Sequence, residues 1–475
     1  MKAVNIFRKR INAHHFALTL ILVQFIFLTN EFSRNPIRTP VTDDWLYLNI
    51  GAHRATLLSV DSFELINGHQ QVLVKSLVWV LGFLPGLYFS YVWYLNVALA
   101  FLGIYLLIGS QIILLRNKMR LLHVLICVII LCNFKPLYLY MSVTGTGLCL
   151  TMLFFGIYYY ASNKFSVKNA RIVKTICAFL APFATGFGIS LAGAHLIELF
   201  YSWSQKNSFN ISKRKIFDIL IIFTGLTISY ILPTFYNILN SRSPESSTSK
   251  LSDIFDLIWN PMRGVFFIFG LLGATVTPSS RFDPMVAIFA GVLIVMLISW
   301  NLFLLFSLRG FISKVLMNQT PLLGALIFML MLVVFRGSSE QGSLSEAVAP
   351  RYVMGTSLTI FSLFVLILEK QNTINNARIP LTILSLVLVC SLSGLKTGLE
   401  WLSVRNLQTS ELRTCLDSQT VNNVDCIQVA QPIKEGESSD ADTLKDLEDL
   451  SKYLTKVSLK FSETNSHFLS TPKLL

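Results

Sequence analysis

Charge is what this chain has least of. Only 14% of its 475 residues are Asp, Glu, Lys or Arg, against about 25% in an ordinary soluble domain. That scarcity excludes a water-soluble enzyme of average make-up. Also missing are a GxxxxGK[ST] loop for nucleotide phosphates, an HExxH pair and any CxxC. No repeat of fixed period and no long low-complexity tract occurs. An inverted repeat of the transporter kind is not visible either, which weighs against a transporter.

What is present in excess is apolar sequence. Hydrophobic residues make up 53% of the chain and the mean hydropathy is +0.60, so a polytopic membrane protein is expected. Ten spans of about 20 residues would use roughly 200 residues, leaving room for a few loops and one terminal unit.

The net charge of +13 would suggest nucleic acid in a soluble protein, but its distribution decides otherwise. From Gly398 onward there are 8 basic and 12 acidic residues, so that tail stands at −4 and the first 397 residues at +17. The excess sits in short loops between apolar runs, where Lys and Arg mark the cytoplasmic side. The basic character is therefore read as orientation, and no nucleic-acid partner is expected.

Lys2, Arg8, Lys9 and Arg10 precede an apolar run from about Phe16 to Thr29. No small-x-small cleavage site follows, so this reads as an uncleaved first span leaving the cytoplasm. Residues 31–70 are polar with charges of both signs, and are expected to be an outer loop containing interfacial helices.

Apolar runs follow at 71–86, 88–115, 121–136, 143–162 and 175–205, the last broken at Thr185-Gly186-Phe187-Gly188. The run at 71–86 suits a half-span. Each arm of the broken run is about 22 Å long, short of the roughly 30 Å hydrocarbon core, so its arms need protein around them or one loop breaks the charge rule. Arg116, Lys118 and Arg120 mark one cytoplasmic loop, and Lys164, Lys168, Arg171 and Lys174 another.

Later runs cover 217–239, 263–277, 285–307, 319–335, 352–368 and 379–397. Arg309 with Lys314, and Lys370 with Arg378, look cytoplasmic. That places 336–351 and the tail from 398 outside, with one run in the middle re-entrant.

The expected organisation is thus a membrane domain over 1–397 and an extracytoplasmic tail over 398–475. In the tail Leu447, Leu450, Leu454, Val457 and Phe461 form one apolar helical face. Five of the seven cysteines fall in apolar runs. Cys415 and Cys426, in polar sequence, are candidates for a disulfide if the tail faces an oxidising compartment.

Three constellations could carry chemistry. Thr42-Asp43-Asp44-Trp45 lies just beyond the first span. Adjacent residues diverge by about 100° on a helix, so only one of Asp43 and Asp44 could face a given substrate. Thr42 could equally be an N-cap with both Asp in a first turn. Asn67-Gly68-His69-Gln70, with Lys75 nearby, could bind an acceptor or a phosphate through His69 or stay in a solvated loop. The third is the outer loop bracketed by Arg336 and by Arg351-Tyr352. An arginine at the edge of a span suits a lipid-linked phosphate, which its planar fork can grip bidentately, or it snorkels to the interface. Thr144-Gly145-Thr146-Gly147 reads better as a helix-packing seam than as a phosphate loop.

Taken together, the Asp43-Asp44-Trp45 element, Asn67-x-His69, the Gly-Phe-Gly break and Arg351-Tyr352 resemble polytopic bacterial glycosyltransferases of the GT-C class, such as lipid-linked-sugar-dependent mannosyltransferases and O-antigen glucosyltransferases. The chain departs from them at Gly68 and Gln70, where relatives carry Glu and Arg. The resemblance implies an all-α, GT-C-like bundle of about 10–12 membrane helices with interfacial helices on its outer face, in the bacterial inner membrane. It implies transfer of a sugar from a polyprenyl-phosphate donor to a lipid or glycan acceptor at the outer face, with inversion. Asp43 or Asp44 would be the general base, with Trp45, His69, Lys75, Arg336, Arg351 and Tyr352 binding substrate. No cofactor is expected and no metal is indicated, although a divalent ion is compatible with the class. The alternatives are a glycolipid flippase or transporter, or an O-antigen polymerase or ligase.

Overall fold

The computed structural model describes residues 2–34, 71–83, 88–133, 135, 137–140, 142–205, 213–231, 261–277, 284–336, 347, 352–370, 394–396 and 398–399. Among these every regular element is a helix and there is no strand. Three helices are long and apolar enough to cross a membrane, within Ala13–Ser33, Tyr91–Leu115 and Val143–Lys164. Six shorter apolar helices accompany them. This is an all-α membrane protein.

The elements run α1 Lys2–Arg34, α2 Val72–Leu81, α3 Tyr88–Leu115, α4 Leu121–Leu131, α5 Val143–Lys164, α6 Val167–Leu180 and α7 Phe187–Ser204. They continue with α8 Lys213–Leu226, α9 Pro261–Ala274, α10 Pro284–Leu305, α11 Leu308–Leu316, α12 Leu322–Arg336 and α13 Val353–Lys370. The first span is longer than its apolar run, so Glu31 to Arg34, expected in the outer loop, are helical. α2 has 10 residues, about 15 Å at 1.5 Å per residue, and is too short to cross on its own.

The core forms around the pair α3 and α5. A Cβ on Gly156 would lie 2.4 Å from the Gly103 carbonyl oxygen, and one on Gly103 would lie 2.6 Å from that of Met152. The absence of side chains lets the two backbones touch, which replaces the hydrophobic drive that lipid removes between membrane helices. Ile104 on α3 and Phe155 and Tyr158 on α5 are fully buried.

The broken run resolves into a hairpin of α6 and α7 joined by a 3₁₀ turn at Ala181–Phe183. α6 starts at Val167, so Lys168, Arg171 and Lys174 stand on a helix and not in a loop. Only Phe165 and Ser166 separate it from α5. At 14 residues α6 spans about 21 Å, and its partners shield it: α5 on one side, α7 and α8 on others. The hairpin tip packs where a Cβ on Gly147 would meet the Ala184 carbonyl oxygen at 2.5 Å. The packing role expected of the Thr-Gly-Thr-Gly segment is seen at Gly147.

Side-chain contacts tie the basic loops into one end of the bundle. Lys118 bonds the Glu369 carbonyl oxygen, and Lys314 pairs with the Glu369 carboxylate at 2.5 Å. Tyr201 meets Ser313 at 3.0 Å, Lys215 donates to Ser202 at 2.8 Å, and Arg171 reaches the Arg214 carbonyl at 2.8 Å. Asn163 donates to Ser110 at 2.8 Å. The segments carrying Lys118, Lys164, Arg171, Arg214, Lys314 and Glu369 therefore share what we call the basic end.

At the opposite end, Lys135 donates to the Ala274 and Thr277 carbonyls at 2.5 and 3.0 Å. Asn133 donates to Thr275 at 3.1 Å. A Cβ on Gly394 would lie 2.6 Å from Asn133 Oδ1, so the chain is at this end four residues before the tail. The C-terminus of α12 and the start of α13 belong here too, since α13 ends with Glu369 at the basic end. The amphipathic face at 447–461, the expected disulfide and the tail beyond Leu399 lie outside the described residues.

Candidate functional sites at the two ends

Of the residues singled out in sequence, Asp43, Asp44, Trp45, His69, Arg351, Cys415 and Cys426 lie outside the described residues. Arg336 is the last residue of α12. Lys75, in the first turn of α2, and Tyr352, just before α13, are both buried. Lys135, at the end of the apolar run 121–136, is only 1% exposed and caps carbonyls at the end of α9, where the helix dipole is negative. Among the described residues no three His, Cys, Asp or Glu side chains cluster as a metal site.

The opposite end is under-satisfied. Asn96 spends its amide hydrogens on the Tyr140 and Ser142 carbonyls, at 3.1 and 2.9 Å, just before α5. Ser142 caps α5 by accepting from the Gly145 backbone N–H at 3.0 Å. Asn96 Oδ1, Thr144 Oγ1 and Thr146 Oγ1 nevertheless have no partner. They are three of the five buried side-chain polar atoms in that state among the described residues, the others being on Gln24 and Gln111. Leaving such an atom unpaired costs about 1–3 kcal/mol, so the first turn of α5 calls for water or the polar groups of a ligand.

The basic end, in contrast, is closed by a network that sequence reading did not anticipate. Tyr158, six residues from the end of α5, donates to Glu198 Oε2 on α7 at 2.7 Å. Lys174 on α6 pairs with Glu198 Oε1 and lies 4.8 Å from the centre of the Tyr158 ring. Asn318, after α11, donates to Tyr158 Oη at 3.0 Å and Glu198 Oε2 at 3.2 Å, and accepts from Tyr159 at 2.6 Å. His195 Nδ1 is 2.9 Å from Tyr158 Oη. Tyr158 has one proton, given to Glu198, so the hydrogen between Tyr158 and His195 belongs to Nδ1. Nε2 is then left to accept from Thr175 Oγ1 at 3.4 Å.

Every polar group in this set is answered, and four separate stretches of chain meet on one carboxylate. The Glu198 side chain keeps 21% of its surface exposed. A signal for it was present in the His195-x-x-Glu198 spacing, which puts both on one helical face. Its partners come from α5, from α6 and from beyond α11, too far along the chain to be paired by eye.

No family model, no curated protein and no solved structure matches the chain.

Proposed function

We propose that the protein is a membrane glycosyltransferase of the GT-C kind, moving a sugar from a polyprenyl-phosphate carrier to a lipid or glycan acceptor at the opposite end of the bundle. The observation that carries this reading is the unpaired polar set around the first turn of α5. Buried hydroxyl and amide oxygens without a protein partner suit a sugar, whose hydroxyls can donate to Asn96 and exchange hydrogen bonds with the threonines. Buried Lys75 and Lys135 bring positive charge to the same end, which favours an anionic carrier.

α1 reaches this end at Arg34, nine residues before Asp43. In this reading Asp43 or Asp44 takes the proton of the acceptor hydroxyl. The phosphate needs little protonation to leave, so one base suffices. Arg336, Arg351, Trp45, His69 and Tyr352 complete the donor site. The basic end faces the cytoplasm and the tail from Gly398 the outside of a bacterial inner membrane, within a bundle of about 10–12 crossings.

Purified full-length protein, given polyprenyl-phosphate glucose or mannose and a lipid or glycan acceptor, should form glycosylated product by mass spectrometry. Asp43→Asn or Asp44→Asn should abolish it, and full activity in both variants overturns the base assignment. One observation favours a second reading, a glycolipid transporter. Ionisable groups inside a helical bundle often mark a substrate path, and Lys174, His195 and Glu198 are such groups. A vesicle assay in which Glu198→Gln stops translocation, while no sugar is transferred by any variant, would select it.

A further inference from the structure

We infer that the rim of the basic end is a docking surface for anionic phospholipid headgroups of the leaflet on that side. The inference rests on the membrane reading of the fold and not on sugar transfer.

Basic and apolar side chains alternate there in two places. The turn from α5 into α6 reads Lys164-Phe165-Ser166-Val167-Lys168, every residue exposed, with Val167 at 89%. Across the bundle end, α11 opens with Leu308, 76% exposed, beside exposed Arg309 and one turn before exposed Ile312. α11 is fixed in this position by Ser307, which caps it through the Gly310 backbone N–H at 3.2 Å, and by the Lys314–Glu369 pair.

Three cations of this end are paired inside the protein: Arg171 with Asp218, Lys174 with Glu198, Lys314 with Glu369. Among the described residues Lys164, Lys168 and Arg309 have no acidic partner. Valine and leucine so exposed are costly in water, but cost nothing at the boundary between headgroups and acyl chains, where cations meet lipid phosphates. These exposed cations are open to a negative partner, and an anionic leaflet supplies one in the same plane as the apolar contacts.

The test uses the full-length protein in nanodiscs of phosphatidylcholine alone or with phosphatidylglycerol, with no sugar donor present. Lipid enrichment around the protein is read by mass spectrometry, and stability by thermal unfolding. Wild-type protein should enrich phosphatidylglycerol and unfold at higher temperature in its presence, with both effects falling at high salt. Lys164→Gln, Lys168→Gln and Arg309→Gln should each weaken enrichment about five-fold, with unfolding in phosphatidylcholine unchanged. Val167→Ser with Leu308→Ser should lower stability in both lipids while leaving the preference for phosphatidylglycerol intact. Equal enrichment of the two lipids by wild-type protein overturns the inference. So does equal stabilisation by free inorganic phosphate, which would mean an anion site and not a lipid surface.

Discussion

The two ends of this bundle handle buried charge in opposite ways. At the basic end a lysine, a carboxylate, a histidine, a tyrosine and an asparagine answer one another in a closed set, with Gln111 Oε1 the one unpartnered buried side-chain oxygen there among the described residues. At the opposite end Lys135 is held by backbone carbonyls, while amide and hydroxyl oxygens beside α5 stay unanswered. A closed set contributes rigidity, because breaking it exposes a charge with no substitute partner. An open set contributes little to stability and keeps its bonding capacity for something else. The contrast separates scaffold from site within one membrane domain.

The largest effect should come from opening the closed end. Glu198→Leu leaves Lys174 buried and unpaired, and should destabilise the protein by about 3–5 kcal/mol in thermal unfolding. Adding Lys174→Met should restore much of that loss. If the single variant unfolds like wild type, the network is not what holds α5, α6 and α7 together. Next in size, Lys135→Met removes a charged donor from two carbonyls at the end of α9, with an expected cost of about 1.5–3 kcal/mol. The same cost for a hydrocarbon at Lys135 and at Glu198 would erase the distinction between the ends.

Lys314→Gln breaks a pair with 28% and 23% of its side chains exposed. Screening limits its effect to about 1 kcal/mol or less, which would show that enclosure of the Glu198 set, and not charge pairing as such, carries the stability. The smallest loss of stability belongs to Thr146→Val, which deletes a buried hydroxyl with no protein partner and should leave unfolding unchanged or raise stability by up to about 1–3 kcal/mol. Sugar transfer by the same variant should nevertheless fall, measured as product formed per unit of folded protein. A large loss of stability with unchanged transfer would make Thr146 scaffold.

The spans were legible because apolar runs of 20 or more residues have few other fates in water, as at α3 and α5. The boundaries of α6 were not, because Lys168, Arg171 and Lys174 read as a charged loop. Their spacing of three residues in fact sets them along one side of a helix, and Lys174 is buried because Glu198 is waiting. Lys75 and Lys135 stand as charges within apolar runs, but the carbonyls that hold Lys135 lie about 140 residues further on. The closed network was missed for the same reason. Hydrophobic periodicity reports which way a residue faces, whereas a hydrogen bond between α5, α6, α7 and the turn after α11 depends on tertiary placement that no single stretch records.

The short hairpin of α6 and α7 also bears on how the chain is made. An arm of about 21 Å carrying Lys174 is a poor candidate to enter lipid alone, yet its tip fits against Gly147, where only a hydrogen can stand. The groove that receives it belongs to α5, which leaves the ribosome earlier, as does its partner α3. Synthesis from the N-terminus therefore prepares the socket before the hairpin arrives. A side chain at Gly147 would act first on insertion, leaving a chain whose later helices emerge with nowhere to lodge.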